Sequence, residues 1–275
     1  MVRVDSSLSS LRTLNTGAPQ GCVLSPVLFI LYTNSFRASE TGCHILKYAD
    51  DTVVLGAISD SDEYGYRQEI CNVIEWCAEN HLVLNASKTK EVVFDFRQRP
   101  LCQYPVFINS ESVELVDQYK YLGVIIDDKL RWEENTDKLY KKGQQRLYYL
   151  RKLKYFHMDT ELLRLFYTSI VQSAITFGIV CWWSCLSVKN KIKLNRVKRA
   201  AERLTGLELD KLEGLHLTRS LAKMKEIMKG DSTLSDKVVW LRSGRRLQTV
   251  MCRTSRFRNS FLPCAIRLFN EHCNL

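Results

Sequence analysis

The stretch that decides the fold runs from His44 to Ile58: His-Ile-Leu-Lys-Tyr-Ala-Asp-Asp-Thr-Val-Val-Leu-Gly-Ala-Ile. β-Branched and apolar residues crowd both flanks, so His44–Tyr48 and Thr52–Ile58 are expected as short strands around a tight turn at Ala49-Asp50-Asp51. A turn that served structure alone would favour Asn-Gly or Asp-Gly, whereas two adjacent carboxylates at a hairpin tip repel each other. A divalent cation offsets that repulsion, because carboxylate oxygens are the donors a hard cation prefers. By itself an Asp-Asp turn is common, so its meaning depends on what surrounds it.

Upstream, Gly17-Ala18-Pro19-Gln20-Gly21 reads as a turn-forming loop. Ser25-Pro26 then supplies an N-cap and a proline at the first helical position, and a helix is expected from Pro26 through Phe36. Downstream, Ile70, Val73, Ile74 and Cys77 recur at helical spacing within Glu63–Asn80, the mark of an amphipathic helix packed on a sheet. A turn at Asn85–Thr89, a strand over Glu91–Phe96, and short strands at Val106–Ile108, Val113–Val116 and Tyr119–Ile126 follow.

After Asp127-Asp128 the pattern changes to long helices. Thr136, Leu139, Gly143, Leu147 and Leu150 make one stripe, and Lys138, Lys142, Gln145, Tyr149 and Lys152 make another roughly 100° round the axis. Further helices are expected at Thr160–Cys181 and Lys189–Thr205, with helical character again in Lys211–Lys229 and an arginine-rich run over Arg242–Arg258. The expected class is α+β: an antiparallel sheet with packed helices over residues 1–128, a basic helical domain over 129–206, and a basic extension over 207–275.

The charge distribution supports that division. The net charge of +10 conceals an acidic first part, with 10 Lys/Arg against 17 Asp/Glu in residues 1–128. Residues 129–203 hold 17 against 6, an excess that favours a polyanionic partner such as nucleic acid. Ten cysteines form no Cys-x-x-Cys pair, which argues against a zinc site. The first ten residues contain no apolar signal core, so reduced thiols in an intracellular protein, nuclear or cytoplasmic, are expected. Leu165–Val188 carries no charge and is long enough to span a bilayer, but Thr168, Ser169, Gln172, Ser173, Thr176, Ser184 and Ser187 interrupt it. That polarity points to a helix buried in protein, with no membrane partner.

Gly17-Ala18-Pro19-Gln20-Gly21 with Leu24-Ser25-Pro26, then Tyr48-Ala49-Asp50-Asp51, Leu84-Asn85-Ala86-Ser87-Lys88-Thr89 and Tyr119-Lys120-Tyr121-Leu122-Gly123 occur in this order. Together they resemble the palm of reverse transcriptases, most closely those of LINE-type (non-LTR) retrotransposons. The resemblance covers residues 1–128, and the basic helices after it correspond to the thumb of such enzymes. It implies RNA-directed DNA polymerase activity by two-metal nucleotidyl transfer, with Mg²⁺ as cofactor and RNA template, DNA primer and deoxynucleoside triphosphates as partners. Asp50 and Asp51 match the metal-binding carboxylates, Tyr48 would lie beside the primer end, and Gln20 and Gly21 match the loop lining the nascent base pair. Lys88 matches a lysine near the incoming triphosphate, and Tyr121, Leu122 and Gly123 match the hairpin that grips the primer. Lys138, Lys142 and Lys152 would follow the nucleic-acid backbone.

The same resemblance implies an absence. In the family another metal-binding Asp, with the fingers region, stands upstream of the Gly-x-Pro-Gln-Gly loop, and this chain has only 16 residues before Gly17. A truncated copy, inactive alone, is therefore expected. Two other readings stay open: a nucleic-acid-binding remnant whose basic helices act without chemistry, and a membrane-associated interaction protein built around Leu165–Val188.

Overall fold

The computed structural model describes residues 3–5, 7–10, 21–60, 62–97, 104–230 and 232–272. It is a mixed helix-and-sheet protein whose strands form two-stranded sheets. The chain divides into two compact units, residues 1–91 with 99–115, and residues 92–98 with 116–275.

In the first unit, β1 (Arg3–Val4) pairs antiparallel with β2 (Ser7–Leu8). Helix α1 (Ser25–Tyr32) is capped by Leu24 rather than by Ser25 and makes no side-chain cap bond; proline stands in its first turn as expected. It stops at Tyr32, four residues short of the expected end. The Thr33 hydroxyl turns back to the Phe29 carbonyl, and Phe36 leaves the helix path to stack on Trp76 with ring centroids 4.5 Å apart.

Strands β3 (Cys43–Tyr48) and β4 (Asp51–Gly56) pair antiparallel from Cys43 opposite Gly56 to Tyr48 opposite Asp51. One face of this hairpin carries Ile45 and Val54 and packs on Val73 and Cys77 of α2 (Tyr64–Glu79). Glu69, buried on α2, accepts from the Ser39 and Glu40 amides at 3.0 and 2.9 Å and from the Ser39 hydroxyl. Three donors satisfy a carboxylate that would otherwise be costly to bury.

The expected strand over Glu91–Phe96 is short: only β5 (Lys90–Glu91) pairs, in parallel with β8 (Glu114–Leu115). Beyond Glu91 no described strand offers a partner, and the Asp95 carboxylate bends the chain by accepting the Arg97 amide at 3.0 Å. Between these lie β6 (Phe107–Ile108) and β7 (Glu111–Ser112), joined by Asn109 and Ser110, both at positive φ as the tightest hairpins require.

The second unit begins with a hairpin where one strand over Tyr119–Ile126 was expected: β9 (Gln118–Tyr121) and β10 (Val124–Asp127), turned by Leu122 and Gly123. Asp127 then organises the next loop. Its buried carboxylate accepts the amides of Lys129, Arg131 and Trp132 at 2.9–3.1 Å, fixing the entry to α3 (Glu133–Tyr155).

The α3 stripe of Thr136, Leu139, Gly143, Leu147 and Leu150 is buried as its spacing predicts. It packs on α7 (Val188–Thr205), which Ser187 caps at its start and Gly206, at φ 74°, ends. The expected helix over Thr160–Cys181 is instead broken. It comprises α4 (Thr160–Phe166), a π-helical turn over Tyr167–Gln172, α5 (Ser173–Ile175), α6 (Ile179–Trp182) and a 3₁₀ turn over Trp183–Cys185. Hydroxyls of Thr168, Ser169 and Thr176 bond back to carbonyls one turn earlier, at 2.6–3.1 Å, and Gly178 sits at φ 62°.

Among the described residues no helix is long and apolar enough to cross a membrane, although Thr160–Ile175 and Ile179–Cys185, bent by 43°, pass that test as a pair. Tyr167, Val171, Ile175, Ile179 and Trp182 of this pair are fully buried in the core of their own unit. Helices α8 (Leu212–Met228), α9 (Ser255–Asn259) and α10 (Phe261–His272) complete the unit, with a second core around Met224, Leu247, Ile266 and Phe269.

Candidate carboxylate site and nucleic-acid interface

The β3–β4 hairpin closes through two residues, Ala49 and Asp50, with Ala49 at φ 52°. Asp50 thus occupies the turn itself and Asp51 opens β4, both exposed. Tyr48 stands directly opposite Asp51, so its ring and the Asp51 carboxylate share a face of the hairpin. Among the described residues no Lys or Arg forms an ion pair with either carboxylate, and nothing local neutralises the pair.

Lys47, just before Tyr48, points to the opposite face. Its ammonium donates to the carbonyls of Thr33 at 2.5 Å and Phe36 at 2.9 Å, tying the end of α1 to the hairpin just below its tip. Burial, with Arg37 nearby, holds its pKa below the usual lysine value. Sequence reasoning passed over Lys47, because a lone lysine in a strand has no local signature.

The Gln20–Gly21 loop is only partly visible: Gln20 lies outside the described residues. Gly21 has φ 78°, and a Cβ there would meet nothing within 4 Å. Glycine is therefore required by the backbone angle and not by crowding. Lys88 lies in the expected turn, which Asn85 anchors. The Asn85 side chain accepts the Lys88 amide at 3.1 Å and the Ser87 hydroxyl at 2.8 Å, and its carbonyl accepts the Thr89 hydroxyl. The Lys88 side chain is left exposed.

In the second unit, Leu122 at φ 45° and Gly123 at φ 90° form the β9–β10 turn, and Tyr121 sits opposite Val124 at the strand end. A Cβ on Gly123 would stand 3.4 Å from the Phe177 ring. Lys138 shares its surroundings with Lys120 of β9 and Lys142. Burial first, then repulsion from those two ammonium groups, lowers its pKa. The hairpin turn and the α3 lysines thus belong to one basic neighbourhood within one unit. Lys152, further along α3, lies 5.7 Å from the Tyr148 ring centroid. Sequence reading missed the exposed Tyr148, Tyr155 and Phe156 beside it.

Mg²⁺ suits the chemistry of Asp50 and Asp51, yet the described residues do not complete a site for it. Among them no group of three or more His, Cys, Asp or Glu side chains could hold a metal ion. One hairpin supplies one pair of carboxylates. The eight described cysteines are free thiols.

Residues 1–126 match the family model described as "Reverse transcriptase (RNA-dependent DNA polymerase)". Residues 132–173 match a second model, "Alkylated DNA repair protein alkB homolog 8, N-terminal". Among curated proteins, the "Probable RNA-directed DNA polymerase from transposon BS" of Drosophila melanogaster is 28% identical over 214 residues, covering 73% of this chain and 24% of that protein. The "Probable RNA-directed DNA polymerase from transposon X-element" of the same species is 27% identical, over 49% of the chain and 15% of the relative. The "RNA-directed DNA polymerase from mobile element jockey" of Drosophila funebris is 31% identical, over 50% and 16%. The chain spans about a quarter or less of the length of these relatives. No solved structure gives a significant match.

Proposed function

We propose that this chain, which belongs with the reverse transcriptases of LINE-type (non-LTR) retrotransposons, is part of an RNA-directed DNA polymerase. Residues 1–128 contribute to its palm, 129–206 to its thumb, and 207–275 are an extension. The observation that carries the reading is the hairpin tip, where Asp50 and Asp51 project unpaired beside Tyr48.

In this reading the two carboxylates offer acceptor oxygens at the reacting centre, and Tyr48 packs beside the primer end. Gln20 and Gly21 line the nascent pair. Lys88, exposed on its Asn85-anchored turn, stabilises the leaving pyrophosphate. The Tyr121-Leu122-Gly123 turn holds the primer strand, while Lys138, Lys142 and Lys152 contact phosphates without reading sequence. RNA template, DNA primer and deoxynucleoside triphosphates are the partners, inside the cell. Mg²⁺ is the expected cofactor, and completing its site takes a carboxylate beyond the described residues.

A second reading, nucleic-acid binding without chemistry, draws on that incomplete carboxylate set. Primer extension on an RNA template with Mg²⁺ or Mn²⁺ separates the two. The comparison takes this chain, a version extended upstream with the corresponding segment of a relative, and the Asp50→Asn variant of each. Extension that Asp50→Asn reduces by roughly a hundredfold or more supports the polymerase. Extension indifferent to Asp50 overturns the assignment of the tip, and binding without extension in every form establishes the second reading.

A further inference from the structure

From Lys138 to Met158 the chain carries seven Lys/Arg and no Asp/Glu. Within this run α3 turns Leu139, Gly143, Leu147 and Leu150 to the core, so the opposite face is free. Lys141, Gln145, Tyr148, Lys152 and Tyr155 follow one another along that face at helical spacing, and all are exposed. Tyr149 lies beside this line, and Phe156 closes the helix. The four rings are bare for their size: Tyr148 is 52%, Tyr149 59%, Tyr155 73% and Phe156 63% exposed. They come in two edge-to-face pairs, Tyr148–Tyr149 and Tyr155–Phe156, each with centroids 5.5 Å apart.

We propose that the outer face of the C-terminal half of α3 stacks the bases of single-stranded RNA. The unrelieved positive charge selects a polyanion over an apolar protein surface; among the described residues no carboxylate pairs with Lys141, Arg151, Lys152 or Lys154. The rings then select a single strand over a duplex, because paired bases hide the faces that a ring can cover. From Tyr148 to Tyr155 the helix rises roughly 10 Å, about three nucleotides at the spacing of stacked bases. That the strand is RNA rests on the polymerase reading: the template is unpaired outside the copied region, whereas the new DNA is paired with it.

The test measures fluorescence anisotropy of the full chain with a labelled 12-nucleotide RNA, the same sequence as DNA, and an RNA–DNA hybrid. Replacing Tyr148, Tyr149, Tyr155 and Phe156 together by alanine is expected to weaken RNA binding at least tenfold and hybrid binding less than twofold. The two Tyr→Phe changes Y148F and Y149F, which keep the stacking faces, are expected to leave RNA binding within twofold. If the alanine variant fails to fold by circular dichroism, photocrosslinking of 4-thiouridine RNA to the unmodified chain decides, with adducts expected within residues 148–156. Equal losses on RNA and hybrid, tighter binding of the DNA strand than of RNA, unchanged RNA affinity, or crosslinks confined elsewhere overturn the proposal. Hybrid binding and primer extension report on the polymerase reading separately, so the two failures are distinguishable.

Discussion

Lys47 and Phe36 are joined twice: the Lys47 ammonium donates to the Phe36 carbonyl at 2.9 Å and stands 5.8 Å from the centre of the Phe36 ring. With the second bond to the Thr33 carbonyl, one side chain holds the segment after α1 against the strand that carries Tyr48 to the tip. A residue outside every motif therefore ties the segment after α1 to the strand that leads into the carboxylate turn.

Lys47→Met keeps the aliphatic stem and removes both bonds. Both bonds are part-buried, so the expected cost is about 1–2 kcal/mol in urea unfolding. Amide exchange over residues 33–37 should accelerate, while α2 keeps its protection. Unaltered exchange in that segment would show that Lys47 anchors nothing.

Gly143→Ala should destabilise the helical unit. A Cβ there would stand 2.9 Å from Val197 Cγ1 and 3.0 Å from Ile175 Cγ2. Valine and isoleucine are stiff at χ1 and cannot swing away cheaply. Overpacking costs about 1–3 kcal/mol, against a helix-propensity gain of up to about 1 kcal/mol for replacing glycine. A net loss of roughly 1–2 kcal/mol is expected in denaturant unfolding, and a stabilised variant would contradict the close approach of α3 to α7.

What the sequence revealed follows from the range of the forces involved. The β3–β4 hairpin and the α3 stripe are written in local periodicity, and the Asp50–Asp51 tip falls where alternation stops. The Asp127 loop was not legible, because one carboxylate gathers amides up to five residues away and no composition marks it. Val92, Val93, Phe94 and Phe96 give Glu91–Phe96 its strand character, but the segment finds a partner only at Glu114–Leu115, and pairing is not a local property. The Thr160–Cys181 pattern is helical in hydropathy, yet its hydroxyls compete for backbone carbonyls and break it. In the candidate site, Lys88 was legible and the Asn85 side chain that orders its turn was not.

Stability should fall on mild acidification through His216. Buried on α8, with Lys191 nearby, its pKa is lowered from 6.5 to about 4, burial being the larger cause. The unfolded chain therefore takes up the proton first as pH falls. Stability is complete above about pH 6.5 and declines between there and pH 4, by up to about 3 kcal/mol. Glu202, whose pKa is lowered although burial opposes it, by bonds from the Lys198 ammonium and the Leu209 amide, adds an acid-labile contribution of its own. The His216 share is thus the difference between the unmodified chain and His216→Gln across pH 4–7. Parallel melting curves for the two proteins would exclude His216 as the source.

Charge reversal of Lys138, Lys142 and Lys152 to Glu should weaken nucleic-acid binding for every sequence alike. Burial first, and then the Lys120 and Lys142 ammonium groups, lower the Lys138 pKa, so this cluster carries some unfavourable self-repulsion. A phosphate backbone relieves it, and each contact releases about one counterion. If all three lysines contact a duplex, the slope of log affinity against log salt should shrink in magnitude by about 3. Because burial and the neighbouring ammonium groups lower the Lys138 pKa, binding should also weaken as pH rises into the region just below the ordinary lysine pKa. Anisotropy titrations of an RNA–DNA hybrid at several salt concentrations check both effects. A slope that survives the triple substitution would remove α3 from the binding surface, whatever the Asp50–Asp51 tip does.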